Sequence, residues 1–284
     1  MSLFCVTANA QSPTLQSKIE GIVSTVNATV GVSIVANDFR DTISINAAKQ
    51  FPMQSVFKFP LALALLAEVD NGKLSLNQEI TISKEDLFSE TWSPIRTQFP
   101  EGTTMSLAEL LTYAVAQSDN NAADILLRLV GGPEAVERFL RRNKFNDISV
   151  QATEAQMHQS PEAQYLNWAT PAALTDLLIA FYKQQLLSKA SSDFLWRVLA
   201  ETSTGAGRLK GNLPQGTVVA HKTGTSGLYG TVSYINDIGI ILLPDGKPMF
   251  ISVLLQNSGE ALQVAEQIIA RIARAAWDFY VQQQ

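Results

Sequence analysis

The sequence predicts an α/β chain in the α+β sense, an antiparallel sheet flanked by helices and joined to an all-helical second domain. Three observations carry this expectation. β-Branched stretches lie near both ends, over 28–46 and again after Gly205. From 54 to 201 apolar residues recur with helical spacing, punctuated by capping residues. The two β-rich ends complete one sheet only together, so the helical stretch reads as an insertion. Residues 11–50 and 202–284 then form the α/β domain and 51–201 the all-α domain, with a cleft between them where pockets prefer to form.

In chain order, residues 1–10 end in Thr7-Ala8-Asn9-Ala10, a small-x-small pattern after an apolar segment. They read as a signal-peptide remnant cleaved after Ala10. Stretches 28–36 and 42–46, with a polar break at 37–41, predict a hairpin. The apolar run 59–67 is far shorter than the ~20 residues of a membrane span and predicts a buried helix. That helix starts no earlier than about Ser55, because Pro60 is tolerated only in a first turn. Ser106-Leu-Ala-Glu109 is a capping box for a helix over 107–115, and a helix over 121–130 stops at Gly131-Gly132. Thr170-Pro171 supplies an N-cap and a proline at the first helical position for a helix through Tyr182. Strands follow over 217–222, 230–243 and 248–256, the last two joined by Pro244-Asp245-Gly246. A closing helix over 262–279 carries Val264, Ile268, Ile272 and Ala275 on one stripe.

Composition narrows the partners. With 284 residues and 46% apolar content the chain can build a substantial core. Its 21 Lys+Arg against 26 Asp+Glu and pI near 5.1 give no electrostatic footprint for nucleic acid or anionic lipid, which leaves a small molecule as the expected partner. Cys5 is the only cysteine, and cleavage after Ala10 would leave no disulfide, no Cys-ligated zinc and no thiol nucleophile. A lipid anchor on Cys5 is disfavoured by the bulk of Phe4 before it.

Three short motifs carry chemistry. Ser55-Val-Phe-Lys58 puts two functional side chains one helical turn apart on the same face, and a desolvated amine of lowered pKa can take a serine proton. No other serine in the chain has a lysine three residues on. Ser118-Asp119-Asn120 falls between two predicted helices, a loop position that can present polar groups to a cleft. Lys222-Thr223-Gly224-Thr225 ends the apolar segment Val218-Val219-Ala220 and reads as the end of an edge strand. Gly224 lets a ligand approach the backbone there, Lys222 and the two threonine hydroxyls can bind a carboxylate, and the Thr225 N–H can point at an oxyanion. Each motif alone has an ordinary structural explanation; the ordered set points to serine acyl transfer.

A wider set of segments is specific. Pro52-Met-Gln-Ser55, Trp92-Ser-Pro-Ile95, Ser118-Asp-Asn120, Ala152-Thr-Glu-Ala-Gln-Met-His158, Gln164-Tyr-x-Asn-Trp168, Arg208-Leu-Lys-Gly211 and Ala220-His-Lys-Thr-Gly-Thr-Ser226 resemble class A serine β-lactamases, in particular the VEB/PER/TLA extended-spectrum branch. The resemblance runs from about Gln11 to the C-terminus. It implies the two-domain serine β-lactamase/DD-peptidase-like fold and hydrolysis of penicillins and cephalosporins through an acyl-enzyme on Ser55, without metal or organic cofactor. It also implies a periplasmic monomer that meets β-lactams and clavulanate-type inhibitors. By the same resemblance Lys58 and Glu154 are alternative acylation bases, Glu154 acting through water, and Ser118 passes a proton to the β-lactam nitrogen. The N–H groups of Ser55 and Thr225 form the oxyanion hole and Asn120 holds the acylamide. Lys222, Thr223, Thr225 and Arg208 hold the substrate carboxylate, Gly224 and Ser226 complete the substrate-binding set, and Trp92 forms an aromatic wall.

The chain departs from the commoner class A pattern at three places. His158 stands where most members have the Asn that shares the hydrolytic water, which makes it a candidate for orienting that water or for pinning the Ω loop, about 150–168. Ala152 and Asn167 replace an ion pair that ties this loop. The rim at 227–236 is shorter than in the branch. His221 is expected to be structural. Two other activities share Ser55 and Lys58, a penicillin-binding DD-peptidase and a β-lactam sensor that stays acylated. Glu154 argues against both, because the family's peptidases and sensors lack the deacylating carboxylate.

Overall fold

The computed structural model describes residues 14–36, 38–39, 41–227 and 233–283. The signal remnant over 1–10, Cys5 and residues 228–232 of the rim lie outside the described residues.

The chain runs α1 (Leu15–Val23), β1 (Thr29–Ala36), β2 (Asp41–Ile45) and β3 (Phe51–Pro52), then through a 3-10 turn, Gln54–Phe57, into α2 (Lys58–Asp70). It continues with β4 (Glu79–Ser83), α3 (Pro94–Gln98), β5 (Gly102–Ser106), α4 (Leu107–Ala116), α5 (Asn120–Val130) and α6 (Pro133–Arg142). Next come β6 (Ile148–Ser149), α7 (Glu154–Gln159), a 3-10 segment, Pro161–Leu166, β7 (Trp168–Ala169), α8 (Pro171–Tyr182) and α9 (Lys189–Ala200). The C-terminal part is β8 (Val219–Thr225), β9 (Ser233–Leu242), β10 (Pro248–Ser258) and α10 (Leu262–Val281).

The expected punctuation is present. Ser106 and Glu109 close a reciprocal capping box on α4, Gly131 ends α5 in the left-handed conformation, and Thr170 caps α8 with Pro171 behind it. α2 begins at Lys58, which keeps Pro60 in the first turn. Three features go beyond the sequence expectation: α1, the β4–β5 pair, and the small sheet β3-β7-β6 inside the otherwise helical middle. Among the described residues no helix is long and apolar enough to cross a membrane.

Both chain ends do share one antiparallel sheet, ordered β2-β1-β10-β9-β8, with β8 outermost. β1 shows how its two faces are used. Val30, Val32, Ile34 and Ala36 pack with Leu15 and Ile19 of α1 and Ile268 and Ile272 of α10. The alternate residues Gly31 and Ser33 face the helical half. A Cβ on Gly31 would lie 2.5 Å from the Phe51 ring and 2.7 Å from Pro171, so only glycine lets the sheet and α8 close to this distance. The buried Thr175 hydroxyl of α8 bridges the same seam, 2.9 Å from Ser252 Oγ and 3.0 Å from Pro171 O. On the far side α2, buried along its length from Lys58 to Leu66, is packed by α4, α5, α6 and α9. Each leucine buried there contributes about 1.5–3 kcal/mol, which fixes the helix and the Ser55 turn at its start.

Candidate active site

Ser55 occupies the 3-10 turn, and its neighbour Gln54 is held at φ +50°. The Gln54 amide donates to Gln164 Oε1 at 2.8 Å, tying this turn to the 161–166 segment. One turn on, Lys58 is completely buried, and its ammonium is tolerated because oxygens surround it. Nζ donates to Ser55 Oγ (3.0 Å), Ser118 O (2.9 Å) and Asn120 Oδ1 (2.5 Å). Glu154 Oε1 lies 2.9 Å from the same nitrogen. That contact is ionic but lies off the hydrogen-bonding direction, so Oε1 is buried without a hydrogen-bond donor among the described residues.

The Ser118 loop is shaped by its neighbour. Asp119 is wholly buried, caps α5 by accepting from Ala122 N, and also accepts from Ser93 Oγ and Ile95 N. This forces Ser118 into φ +57°, a conformation costly for a non-glycine residue, and presents it between two lysines. Lys58 takes its carbonyl; Lys222 Nζ donates to its hydroxyl at 2.9 Å. Burial first, then the Lys58 charge, pushes the Lys222 ammonium well below the ordinary lysine range. A serine hydroxyl beside an amine so poised can relay a proton.

β8 is held against the Ser55 turn. A Cβ on Gly224 would come within 2.4 Å of Met53 O, and the Asn236 amide donates to Pro52 O and Met53 O from the neighbouring strand. Arg208 is 3% exposed and committed to this strand end, donating to Gly224 O (3.0 Å), Asn236 O (2.9 Å) and Thr225 Oγ1 (2.6 Å) and contacting Glu266. Its role in the structure is therefore first to position Thr225. Ser55, Trp92, Ser118, Asn120, Arg208, Thr223 and Thr225 come together around one cavity of about 220 Å³. Trp92 is pinned over it, with Nε1 on Gln117 O and its own carbonyl accepting Asn120 N. Larger cavities exist elsewhere on the surface, of about 400 and 440 Å³, but neither holds this chemistry.

Glu154 opens α7, where Thr153 and Gln156 form a capping box. Beneath it stands Asp124 of α5, which sequence reasoning misses. Its two carboxylate oxygens accept Glu154 N (2.7 Å) and Ala155 N (2.8 Å), fixing the helix start that aims Glu154 at Lys58. Asp124 follows Asn120 by one helical turn on the same face, the one signal that could have found it.

A model of the β-lactamase enzyme family matches residues 14–280. The chain is 50% identical to "Beta-lactamase VEB-1" of Pseudomonas aeruginosa, covering 99% of this chain and 96% of that one. It is 43% identical to "Extended-spectrum beta-lactamase PER-1" of the same organism, covering 95% and 89%. A solved β-lactamase from Chitinophaga pinensis superposes with TM-score 0.92 at 44% identity, covering 94% of this chain and 99% of the other. The chain belongs to the class A β-lactamases. It is a β-lactam-hydrolysing enzyme with their two-domain fold.

How this β-lactamase holds its Ω loop without an ion pair is visible at Asn167, which is wholly buried. Its Oδ1 accepts Gln151 N (2.8 Å) and Ala152 N (2.9 Å), and its amide donates to Ala152 O (2.9 Å). One neutral side chain thus does the tying, with Tyr165 and Tyr234 hydroxyls 2.6 Å apart as a second clasp. His158 has two expected roles, orienting the Glu154 water or pinning the Ω loop. Its Nε2 pairs with Glu90 at 3.2 Å on the surface, and no hydrogen bond links it to Glu154, although both line one narrow cleft. The imidazole therefore serves as a loop clasp in this structure, the second of its two expected roles. Ser226 follows at the strand end, its hydroxyl accepting Tyr234 N and donating to Gly227 O. His221 is structural as expected, wholly buried with Nδ1 against the Asp237 carboxylate at 2.9 Å. Thr204, which no sequence motif marks, lines the cavity with its hydroxyl 2.6 Å from Thr223 Oγ1.

Burial and the adjoining Glu154 charge raise Asp124 from 3.8 to about 6. A carboxyl whose folded pKa exceeds its unfolded one contributes stability fully below the unfolded value and loses it as pH rises through the folded value. Measured by thermal melts, the enzyme is expected to lose stability relative to an Asp124→Asn variant as pH rises from about 4 to about 7. A pH-independent difference would show that Asp124 does not titrate in this window.

Proposed function

We propose that this β-lactamase opens the lactam amide of penicillins and cephalosporins, including bulky oxyimino-cephalosporins, through an ester on Ser55, and so confers antibiotic resistance. Ser55 Oγ attacks the carbonyl carbon while its proton passes to Glu154 through a water, or to Lys58 after that ammonium has given a proton to the adjoining Glu154 carboxylate. The C–N bond then breaks, and Ser118, supplied by Lys222, gives the proton that the nitrogen takes up. The N–H groups of Ser55 and Thr225 receive the oxyanion, an arrangement whose donors typically contribute 10²–10³ in rate each. Asn120 and Trp92 receive the acylamide side chain. Lys222, Thr223 and Thr225 take the carboxylate, Gly224 leaves room for it at the backbone, and Arg208 behind Thr225 adds charge. Water activated by Glu154 then hydrolyses the ester. The extended-spectrum assignment rests on the likeness to the VEB/PER/TLA branch and on an Ω loop held by a neutral amide. The same reading divides the chain into 11–50 with 202–284 and 51–201, and expects a secreted, periplasmic monomer.

The observation that carries the reading is the line of contacts from Ser55 Oγ to Lys58 Nζ, 3.0 Å, and on to Glu154 Oε1, 2.9 Å. A carboxylate so close to the nucleophile, with one oxygen short of a donor, suits the activation of water on an ester. A peptidase or a sensor needs Ser55 and Lys58 but not this group. Nitrocefin in large excess tests it: sustained turnover is expected, and a burst equal to the enzyme concentration followed by arrest would favour the sensor. Ceftazidime turned over no faster than by buffer would remove the extended-spectrum part.

A further inference from the structure

Between Ile235 and Ile241 β9 is buried throughout, and Asn236 and Asp237 are its polar residues there. Asp237 is engaged by His221 and Leu209 N. Asn236 reaches off its own strand, its amide donating to Pro52 O at 2.9 Å and to Met53 O at 3.0 Å. Met53 O also accepts Val56 N (3.2 Å), the hydrogen bond that closes the turn around Ser55. These two acceptors fix the orientation of the amide, because the flipped group would set Oδ1 against two carbonyl oxygens. So oriented, Oδ1 is buried without a donor. An unpaired buried acceptor lowers stability and an apolar side chain would avoid it, a local conflict commoner where a residue serves a site. The main chain of the same residue belongs to the other half of the site. Asn236 pairs with Gly224 in the β8–β9 ladder, and Arg208 Nη1 bridges Gly224 O (3.0 Å) and Asn236 O (2.9 Å). The approach of β8 to the turn leaves no slack, since a Cβ on Gly224 would also lie 3.1 Å from Gln54 Cβ and 3.2 Å from Val56 Cγ2.

We infer that Asn236 is a positioning residue for the oxyanion hole, fixing the distance between the N–H groups of Ser55 and Thr225. Ser55 stands two residues beyond Met53 and Thr225 one beyond Gly224, so each donor adjoins a group that Asn236 holds. The inference rests on the reading above that these two N–H groups receive the oxyanion. Such donors act only when they lie about 2.7–3.1 Å from the place where charge develops, and a misplacement of about 1 Å can cost about 10²-fold in rate. The turn has other anchors, Met53 N on Asn167 O (2.8 Å) and the Gln54 amide on Gln164, but both lead to the 161–167 stretch and not to the sheet that carries Thr225. Asn120, Trp92, Lys222 and Thr223, which receive the substrate's side chain and carboxylate, are not bonded by the Asn236 amide. Its effect therefore falls on the chemical step and not on capture of the substrate.

Two variants of the whole enzyme test this. Asn236→Ala removes both hydrogen bonds, and Asn236→Leu removes them while filling the volume and taking away the orphan oxygen. In stopped-flow acylation by a cephalosporin, the rate constant at saturation should fall about 10- to 100-fold in each, with the half-saturating concentration within about 3-fold of the parent. Combined with Glu154→Gln, which traps the adduct, infrared difference spectra with a cephalosporin isotope-labelled at the lactam carbonyl read hydrogen bonding to the ester oxygen directly. With Asn236 in place the ester band should lie below that of the acid-denatured adduct, and each substitution should move it up towards the denatured value. A purely structural residue would lower the melting temperature without moving this band. A folded variant with an unmoved band, whether or not acylation slows, overturns the proposal, and so does failure of both variants to fold. If the Glu154→Gln enzyme with Asn236 intact already shows the denatured band, the oxyanion-hole reading itself falls and the proposal with it.

Discussion

Replacing Glu154 with glutamine is expected to slow deacylation by about 10²- to 10⁴-fold, the range a positioned general base contributes, and to stall the enzyme as a covalent adduct. The amide keeps the size of the carboxylate and can still turn an oxygen to Lys58, 2.9 Å away in the parent, but it cannot accept a proton from water. The fold should survive, because Asp124 holds this helix through the backbone nitrogens of Glu154 and Ala155, not through the side chain. Stopped-flow kinetics with a cephalosporin, combined with intact mass, separates the steps. Acylation at the parent rate with slow release would make Lys58 the acylation base, whereas loss of both steps would give Glu154 that role as well. Parental turnover with no trapped adduct would remove Glu154 from the mechanism.

The second large effect belongs to Asn167. Asn167→Ala strands Gln151 N, Ala152 N and Ala152 O, three groups that its side chain satisfies in a buried setting. At about 1–3 kcal/mol for each unsatisfied group, and with water partly entering the gap, a loss of about 3–5 kcal/mol is expected. For a chain of this size that lowers the melting temperature by roughly 5–8 °C. Deacylation should slow as well, because Asn167 and Glu154 belong to the same loop. Asn167→Asp should fall between: it keeps the acceptor for the two N–H groups but turns a carboxylate oxygen on Ala152 O. A melting temperature within a degree or two of the parent for Asn167→Ala would mean that the loop is held elsewhere, as by the Tyr165–Tyr234 clasp.

What was legible in the sequence was local. A serine and lysine three apart must share a helical face, and Ser55 and Lys58 do. Caps such as Ser106 with Glu109 and Thr170 before Pro171 are short-range hydrogen-bonding patterns, and all formed. The hairpin at the N-terminus and its union with β10 followed from alternating apolar residues seeking one buried face. What was not legible is set by distance along the chain. β4 and β5 pair across an intervening segment that carries α3, with no turn signature between them. Asp124 looks like any polar residue on an amphipathic helix until α7 is laid over it. Thr204 has meaning only because Thr223 arrives beside it on β8. Arg208 and Ser226 sit where the motifs put them, but their hydrogen-bonding capacity is already used by the strand end, and a sequence does not show how a donor is spent. His158 is a similar case: the sequence leaves two roles open for it, and its hydrogen-bond partner, Glu90, is distant along the chain.

The ester on Ser55 is open to one direct measurement. Glu154→Gln enzyme, mixed with a cephalosporin and quenched in acid, is digested and mapped by mass spectrometry, beside the Ser55→Ala/Glu154→Gln double variant. One equivalent of adduct is expected, carried entirely on the peptide containing Ser55, with none on the double variant. An adduct of the same stoichiometry on the double variant, or one mapped to a peptide without Ser55, would contradict acyl transfer through this serine.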